Sequence, residues 1–130
     1  MRILRGIVKT GLGDAKNWPL EQIRDVTGRA NLLAGTLNVE LEEPHSVRHD
    51  FTLHATSRND GRYEDLYFEE CSLLIGLKKV PALIARTSTN FHGNEVLEIM
   101  AAEHLRDNQG LGDGHTIGVQ VRTDKGENLE

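Results

Sequence analysis

Thr36 and Asn38 are the residues whose types and spacing first suggest chemistry. They lie in Gly35-Thr36-Leu37-Asn38-Val39-Glu40-Leu41. Read as a strand, this stretch sends Leu37, Val39 and Leu41 to one face and Thr36, Asn38 and Glu40 to the other. Thr36 and Asn38 then stand roughly 7 Å apart on the same side. A hydroxyl and a carboxamide both offer neutral oxygen. Mg²⁺ accepts such ligands and fills the rest of its shell with water and substrate phosphates. The plainer reading of the same pattern is a half-buried edge strand with a wet polar face.

Three further stretches could carry chemistry. Gly11-Leu12-Gly13-Asp14-Ala15-Lys16 follows an apolar segment. Glycines there would let a ligand approach the backbone, and successive N–H groups could form an anion-binding nest with Lys16 adding charge. The loop matches neither the dinucleotide fingerprint nor the Gly-Lys-Ser/Thr ending of a Walker A loop, so a tight turn remains the alternative. Arg86 to Asn94 is polar and ends in glycine, a loop of the kind that carries sites between apolar strands. Glu98 lies among Val96, Leu97, Ile99 and Met100, so partial burial and a hydrogen-bonding partner are expected. No general base stands out; Glu40, on the face of Thr36 and Asn38, is one candidate.

The elements that would position these residues are mostly strands. Residues 2–10 read as a first strand with Gly6 at a bulge or a close backbone approach. A short helix follows, with Asn17 as cap, Pro19 in the first turn, a stripe of Leu20, Ile23 and Val26, and Gly28 as the stop. Trp18, the single tryptophan, reads as a packing residue. Phe51–His54, Leu66–Phe68, Cys71–Ile75 and Val80–Ala85 read as strands. Asn59-Asp60-Gly61-Arg62 is a hairpin turn, and Gly76–Lys79 is a basic hairpin tip. Pro81 requires a strand start or an edge. Residues 101–106 suggest one or two helical turns, and 111–121 a turn leading into a last strand.

Composition bounds the rest. A chain of 130 residues with 38% hydrophobic residues and thirteen glycines suits one β-rich domain. A net charge of −5 argues against non-specific nucleic-acid binding, which runs on excess Lys and Arg. One cysteine, Cys71, rules out an intrachain disulfide framework. The six histidines form no tight metal-binding pair, and most are expected at the surface. No apolar run reaches membrane-span length and no signal peptide is visible, so a cytoplasmic protein is expected.

Four stretches line up in order: Gly11-Leu12-Gly13, Gly35-Thr36-Leu37-Asn38-Val39, Glu95–Ala101 through Leu105-Arg106, and Leu111-Gly112-Asp113-Gly114. This series resembles the archaeal-type CTP-dependent riboflavin kinase family, over about residues 5 to 122. The resemblance implies a mainly β fold, a six-stranded cradle-loop (RIFT-related) β-barrel with a few short helices. It implies one such domain over 1–122, with 123–130 a polar tail. The implied reaction is transfer of the γ-phosphoryl group of CTP, or another nucleoside triphosphate, to the 5′-hydroxyl of riboflavin, with Mg²⁺. Matched by position, Gly11, Leu12, Gly13, Asp14, Ala15 and Lys16 fall on the family's nucleotide-binding loop. Glu103, His104, Leu105 and Arg106 fall on a second nucleotide-contacting segment. Thr36 and Asn38 fall on the magnesium ligands, and Glu98 on a residue that hydrogen-bonds the flavin ring. The flavin-contacting threonine falls at Thr89 or Asn90. The first loop departs from the family pattern, with Ala15 in place of a glycine and Asp14 before it. The implied partners are the small molecules riboflavin and CTP, with no nucleic acid and no membrane, acting on a monomer. A non-catalytic flavin- or nucleotide-binding module, and a kinase of the same fold for another small alcohol, are the competing readings.

Overall fold

Asn38 is buried, and so are its apolar neighbours Leu37, Val39 and Leu41; along this strand only Glu40 is exposed. The stretch is therefore not the wet edge strand of the plainer reading. A computed structural model describes residues 1–11, 18–57, 63–89 and 93–122. The central stretch forms β2 (Leu37–Leu41), paired on one side with β1 (Arg2–Lys9) and on the other with β6 (Val96–Met100).

The remaining strands are β3 (Phe51–Ser57), β4 (Tyr63–Ile75), β5 (Lys78–Thr87) and β7 (Thr116–Val121). All pairings are antiparallel. The order β4-β5-β6-β2-β1-β7 returns to β4, closing a six-stranded barrel. Closure leaves the barrel without an edge strand, although a strand can outrun its neighbour locally. The length of β4 makes this possible. Cys71–Leu74 pair with β7, while its first half pairs with β3, which lies beside the barrel as a seventh strand. Leu66–Phe68 and Cys71–Ile75 are thus one strand rather than two, because Glu69 and Glu70 continue the ladder to β5.

The barrel interior follows the alternation. Leu4, Val8, Leu37, Val39, Leu73, Ile84, Leu97, Ile99 and Val119 meet in one cluster. Full burial of such side chains contributes about 1.5–3 kcal/mol each. Gly6 leaves room for its β2 neighbours: a Cβ there would stand 2.5 Å from Val39 Cγ1. Pro81 is exposed and faces Ser72; β6 pairing begins only at Leu83, so β5 has a local edge at the proline.

A second apolar cluster lies outside the barrel. Helix α1 (Leu20–Thr27) lays Ile23 against Leu32, Leu66, Phe68, Leu83, Ala85 and Met100, with Trp18, Leu20 and Val26 packed around it. Pro19 occupies the N-cap position and Gly28 ends the helix in the left-handed region (φ 70°). The short helix α2 spans Leu105–Gln109. Residues 101–104, expected to be helical, are not; Ala101 is instead fixed by accepting a bond from the Leu33 N–H.

One histidine departs from the expected surface location. His45 is buried, its Nε2 2.8 Å from Glu69 Oε1, and the Arg48 N–H donates to the same oxygen. Glu69 lies on the inward face of β4 with Cys71 and Leu73, so burying it requires such donors. Among the described residues no helix is long and apolar enough to cross a membrane. The expected Asn17 cap, the Asn59–Arg62 turn, Leu12–Lys16, Asn90 and the 123–130 tail lie outside the described residues.

Candidate functional site

Cross-strand register assembles the site on the outer face of the barrel. Lys9 is opposite Asn38, Asn38 opposite Glu98, and Glu98 opposite Ala85. Directly opposed residues project to the same side of a sheet. Thr36 precedes β2 and is set by Gly35, whose φ of 89° only glycine adopts at low cost. The Thr36 hydroxyl lies 3.4 Å from Asn38 Oδ1 and 3.3 Å from Glu98 Oε1. Thr36 and Asn38, paired by their spacing in the sequence, do meet. Glu98, sixty residues further along the chain, joins them because β6 is the neighbour of β2.

Three oxygens from three side chains thus share one small volume. A single hydroxyl proton can satisfy only one of the two facing acceptors, and both distances are long for an O–H···O bond. A hard cation with oxygen ligands fits this donor set better than the hydroxyl proton alone does. Among the described residues no group of three His, Cys, Asp or Glu side chains converges to hold a metal. Gly11 closes the site from above. A Cβ on it would fall 2.5 Å from Asn38 Nδ2, 2.7 Å from Cγ and 2.9 Å from Oδ1. The missing side chain of Gly11 therefore makes room for the Asn38 carboxamide. Glu40 is exposed and 3.7 Å from Lys9 Nζ, so the carboxylate in contact with Thr36 is that of Glu98.

The second segment, Glu103 to Arg106, is tied to the same place. Leu105 is buried and anchors α2. Arg106 Nη2 donates to the Lys9 carbonyl (3.1 Å) and to Asp113 Oδ1 (2.6 Å). The Thr10 hydroxyl donates to the other oxygen of Asp113. This joins α2, the 111–114 turn and the end of β1, immediately before Gly11. The Thr10 hydroxyl and the Arg106 guanidinium hold the Asp113 carboxyl below the usual carboxylate range. A cavity of about 270 Å³ runs between the two segments, lined among others by Gly35, Thr36, Glu103, His104 and Arg106.

Thr89 is exposed, and its hydroxyl donates to Glu64 Oε1 (2.7 Å) and lies 3.2 Å from the Thr87 hydroxyl. Thr87 is two residues beyond Ala85, hence on the same face as Glu98. The flavin-side candidates Thr89 and Glu98 therefore share a face.

Two parts of the site were not singled out as site residues. Arg86 is buried, donating to Asn94 Oδ1 (2.6 Å) and to the Val96 carbonyl (3.0 Å). It clamps the start of β6, two residues before Glu98. Burial lowers its pKa, while the Glu98 and Glu95 carboxylates oppose that shift. An arginine directly after the apolar run Ala82–Ala85 was the available signal. Asp113 was read only as part of a turn; nothing local in the sequence pairs it with Arg106.

The sequence profile of the family designated CTP-dep_RFKase, described as a domain of unknown function (DUF120), matches residues 8–121. A curated protein named riboflavin kinase, from Methanocella arvoryzae (strain DSM 22066 / NBRC 105507 / MRE50), is 30% identical over 126 residues. That match covers 92% of this chain but 56% of the relative, so the chain spans about half the length of the relative. With the profile covering nearly the whole barrel, the chain belongs to the CTP-dependent riboflavin kinase family.

Proposed function

We propose that the chain transfers the γ-phosphoryl group of CTP to the 5′-hydroxyl of riboflavin, giving FMN and CDP, with Mg²⁺ present. The observation that carries this reading is the meeting of Thr36, Asn38 and Glu98 beneath Gly11, one cavity away from Arg106. Phosphoryl transfer needs positioning and charge neutralisation more than covalent help. Thr36 and Asn38 would hold the metal ion, which when bound neutralises phosphate charge. Gly11 opens the backbone to the phosphates, and the family resemblance assigns Leu12 to Lys16 to the same nucleotide-binding segment. Glu103 to Arg106 wall the nucleotide on the other side, and Asp113 keeps the Arg106 guanidinium aimed at the end of β1.

The family resemblance assigns Glu98 to the flavin ring. Its 3.3 Å distance to the Thr36 hydroxyl favours the ribityl end instead, since the accepting hydroxyl must reach the phosphoryl group beside Thr36 and Asn38. There a half-buried carboxylate orients the 5′-hydroxyl and accepts its proton as the oxygen attacks. Thr89 stands further along the same face for the rest of the flavin. The family match ending at residue 121 supports a working unit of 1–122.

The test is incubation with riboflavin, Mg²⁺ and each of the four nucleoside triphosphates, with chromatography for FMN. Asn38→Ala should abolish Mg²⁺-dependent turnover and leave the circular dichroism spectrum intact, because Asn38 lies outside the barrel interior. No FMN from any triphosphate would overturn the assignment in favour of a binding module. A folded Asn38→Ala with near wild-type turnover would remove Asn38 from the site.

A further inference from the structure

Lys9, Asn38 and Glu98 form a row across three neighbouring strands, β1, β2 and β6. Glu40, two residues past Asn38, lies on the same face. This face therefore carries the Glu98 and Glu40 carboxylates, and both repel a phosphate group. The guanidiniums nearby are already committed. Arg106 bonds the Lys9 carbonyl and Asp113, and Arg86 bonds Asn94 and the Val96 carbonyl.

The Lys9 ammonium is placed differently. Its side chain is half-exposed, and its Nζ lies 3.7 Å from Oε2 of the equally exposed Glu40. An exposed pair at that separation is weak and easily exchanged. The backbone of Lys9, by contrast, is fixed. Arg106 Nη2 holds its carbonyl at 3.1 Å, and the β1–β2 ladder sets it opposite Asn38. Directly opposed residues stand ~5 Å apart and diagonal ones ~7–8 Å, both within reach of a lysine stem. Rotation about that stem carries the ammonium from Glu40 to the space over Asn38, where the proposed reaction puts the phosphoryl group.

We infer that Lys9 is a catalytic residue that leaves Glu40 to donate N–H bonds to the phosphoryl group in transfer, and that Glu40 is its resting partner rather than a proton acceptor. The inference deepens the proposed kinase reaction and rests on it. In that step the riboflavin 5′-oxygen bonds the γ-phosphorus as the bond to the β,γ-bridging oxygen breaks. The bridging oxygen keeps the bonding electrons and departs on CDP, and the hydroxyl proton passes to Glu98. Lys9 gives up no proton. Its ammonium stabilises charge on the equatorial phosphoryl oxygens.

The experiment measures FMN formation from CTP, riboflavin and Mg²⁺, with CDP affinity read by calorimetry. The proteins are wild type, Lys9→Met, Lys9→Arg, Glu40→Gln and Lys9→Met/Glu40→Gln. Both positions are half-exposed, so every variant should keep the wild-type circular dichroism spectrum. Lys9→Met should lower kcat about a hundredfold, the lower end for one donor aimed at developing charge. Its CDP affinity should hardly change, because CDP lacks the phosphoryl group that Lys9 meets. Lys9→Arg keeps the charge and should recover most of the turnover. Glu40→Gln releases the ammonium and should raise kcat/KM for CTP by up to about fivefold, the upper end for an exposed ion pair. In the Lys9→Met background the same change should do nothing. Unchanged kcat in Lys9→Met, or a loss matched in CDP affinity, overturns the catalytic role of Lys9, as does a Lys9→Arg protein no faster than Lys9→Met. Abolished turnover in Glu40→Gln makes Glu40 the proton acceptor and overturns its pairing role. An equal effect of Glu40→Gln in both backgrounds, none included, overturns that role too. No FMN from wild type overturns the kinase reaction and this inference with it, and needs no variant to recognise.

Discussion

Gly11→Ala should damage the proposed metal pair, Thr36 and Asn38, rather than the barrel. The φ of Gly11 lies outside the left-handed region, so alanine brings no backbone strain there. By restricting the unfolded chain it would by itself stabilise by about 0.4–1 kcal/mol. The new methyl group, however, would stand 2.5–2.9 Å from three atoms of the Asn38 carboxamide. Ordinary van der Waals contact begins near 3.4 Å, so the carboxamide or the Gly11 backbone must yield by about 1 Å. Asn38 is buried between β1 and β6 and has little space to yield into. Overpacking of this kind costs about 1–3 kcal/mol, leaving a net loss of about 0–2.5 kcal/mol after the backbone gain. The functional effect should be larger. A 1 Å misplacement of a positioning group can cost about a hundredfold in turnover. The assay is FMN formation across a Mg²⁺ titration, with urea denaturation for stability. The double variant Gly11→Ala/Asn38→Ala removes the clashing amide, so its stability should exceed the sum of the two single effects. A Gly11→Ala protein with wild-type turnover and Mg²⁺ dependence would refute the reasoning, because the carboxamide would then not need its observed place.

Two further outcomes follow from individual groups. Glu98→Gln should lower kcat much more than riboflavin affinity if the carboxylate takes the ribityl proton; a loss confined to affinity, read by riboflavin fluorescence quenching, would return Glu98 to the flavin ring. For Cys71, burial and the nearby Glu69 carboxylate push the thiol up to about 12, with Arg29 opposing. The native protein should therefore resist iodoacetamide at pH 9 and react on unfolding. Because the unfolded thiol ionises near 9.0 and the folded one near 12, the contribution of Cys71 to stability is intact below pH 9 and is lost as pH rises towards 12. Rapid alkylation of the native protein would contradict that burial.

Much of the frame was legible from local pattern. Alternation in residues 2–9 and 116–121, the Leu20, Ile23 and Val26 stripe, and Gly28 as a helix stop depend on neighbours a few residues apart, and all are found. The pairing of Thr36 with Asn38 was legible for the same reason, since two residues of one strand share a face. The barrel closure was expected from family resemblance alone, because no local pattern says which strand lies beside which.

What the tertiary structure decided concerns residues distant in the chain. Asn38 reads as a wet residue until β1, β6 and the backbone of Gly11 cover it. Glu98 reads as a half-buried carboxylate until β6 lands beside β2 and sets it against Thr36. His45 reads as a surface residue until Glu69, on the inward face of β4, supplies the partner that lets both be buried. Asp113 and Arg106, parts of separate stretches, meet only because β1 and α2 converge on Thr10. Alternation and capping act over one or two turns of chain, and a sequence displays them directly. Strand register and burial are set by which long-range contacts together remove the most apolar surface from water, and no single segment encodes that minimum.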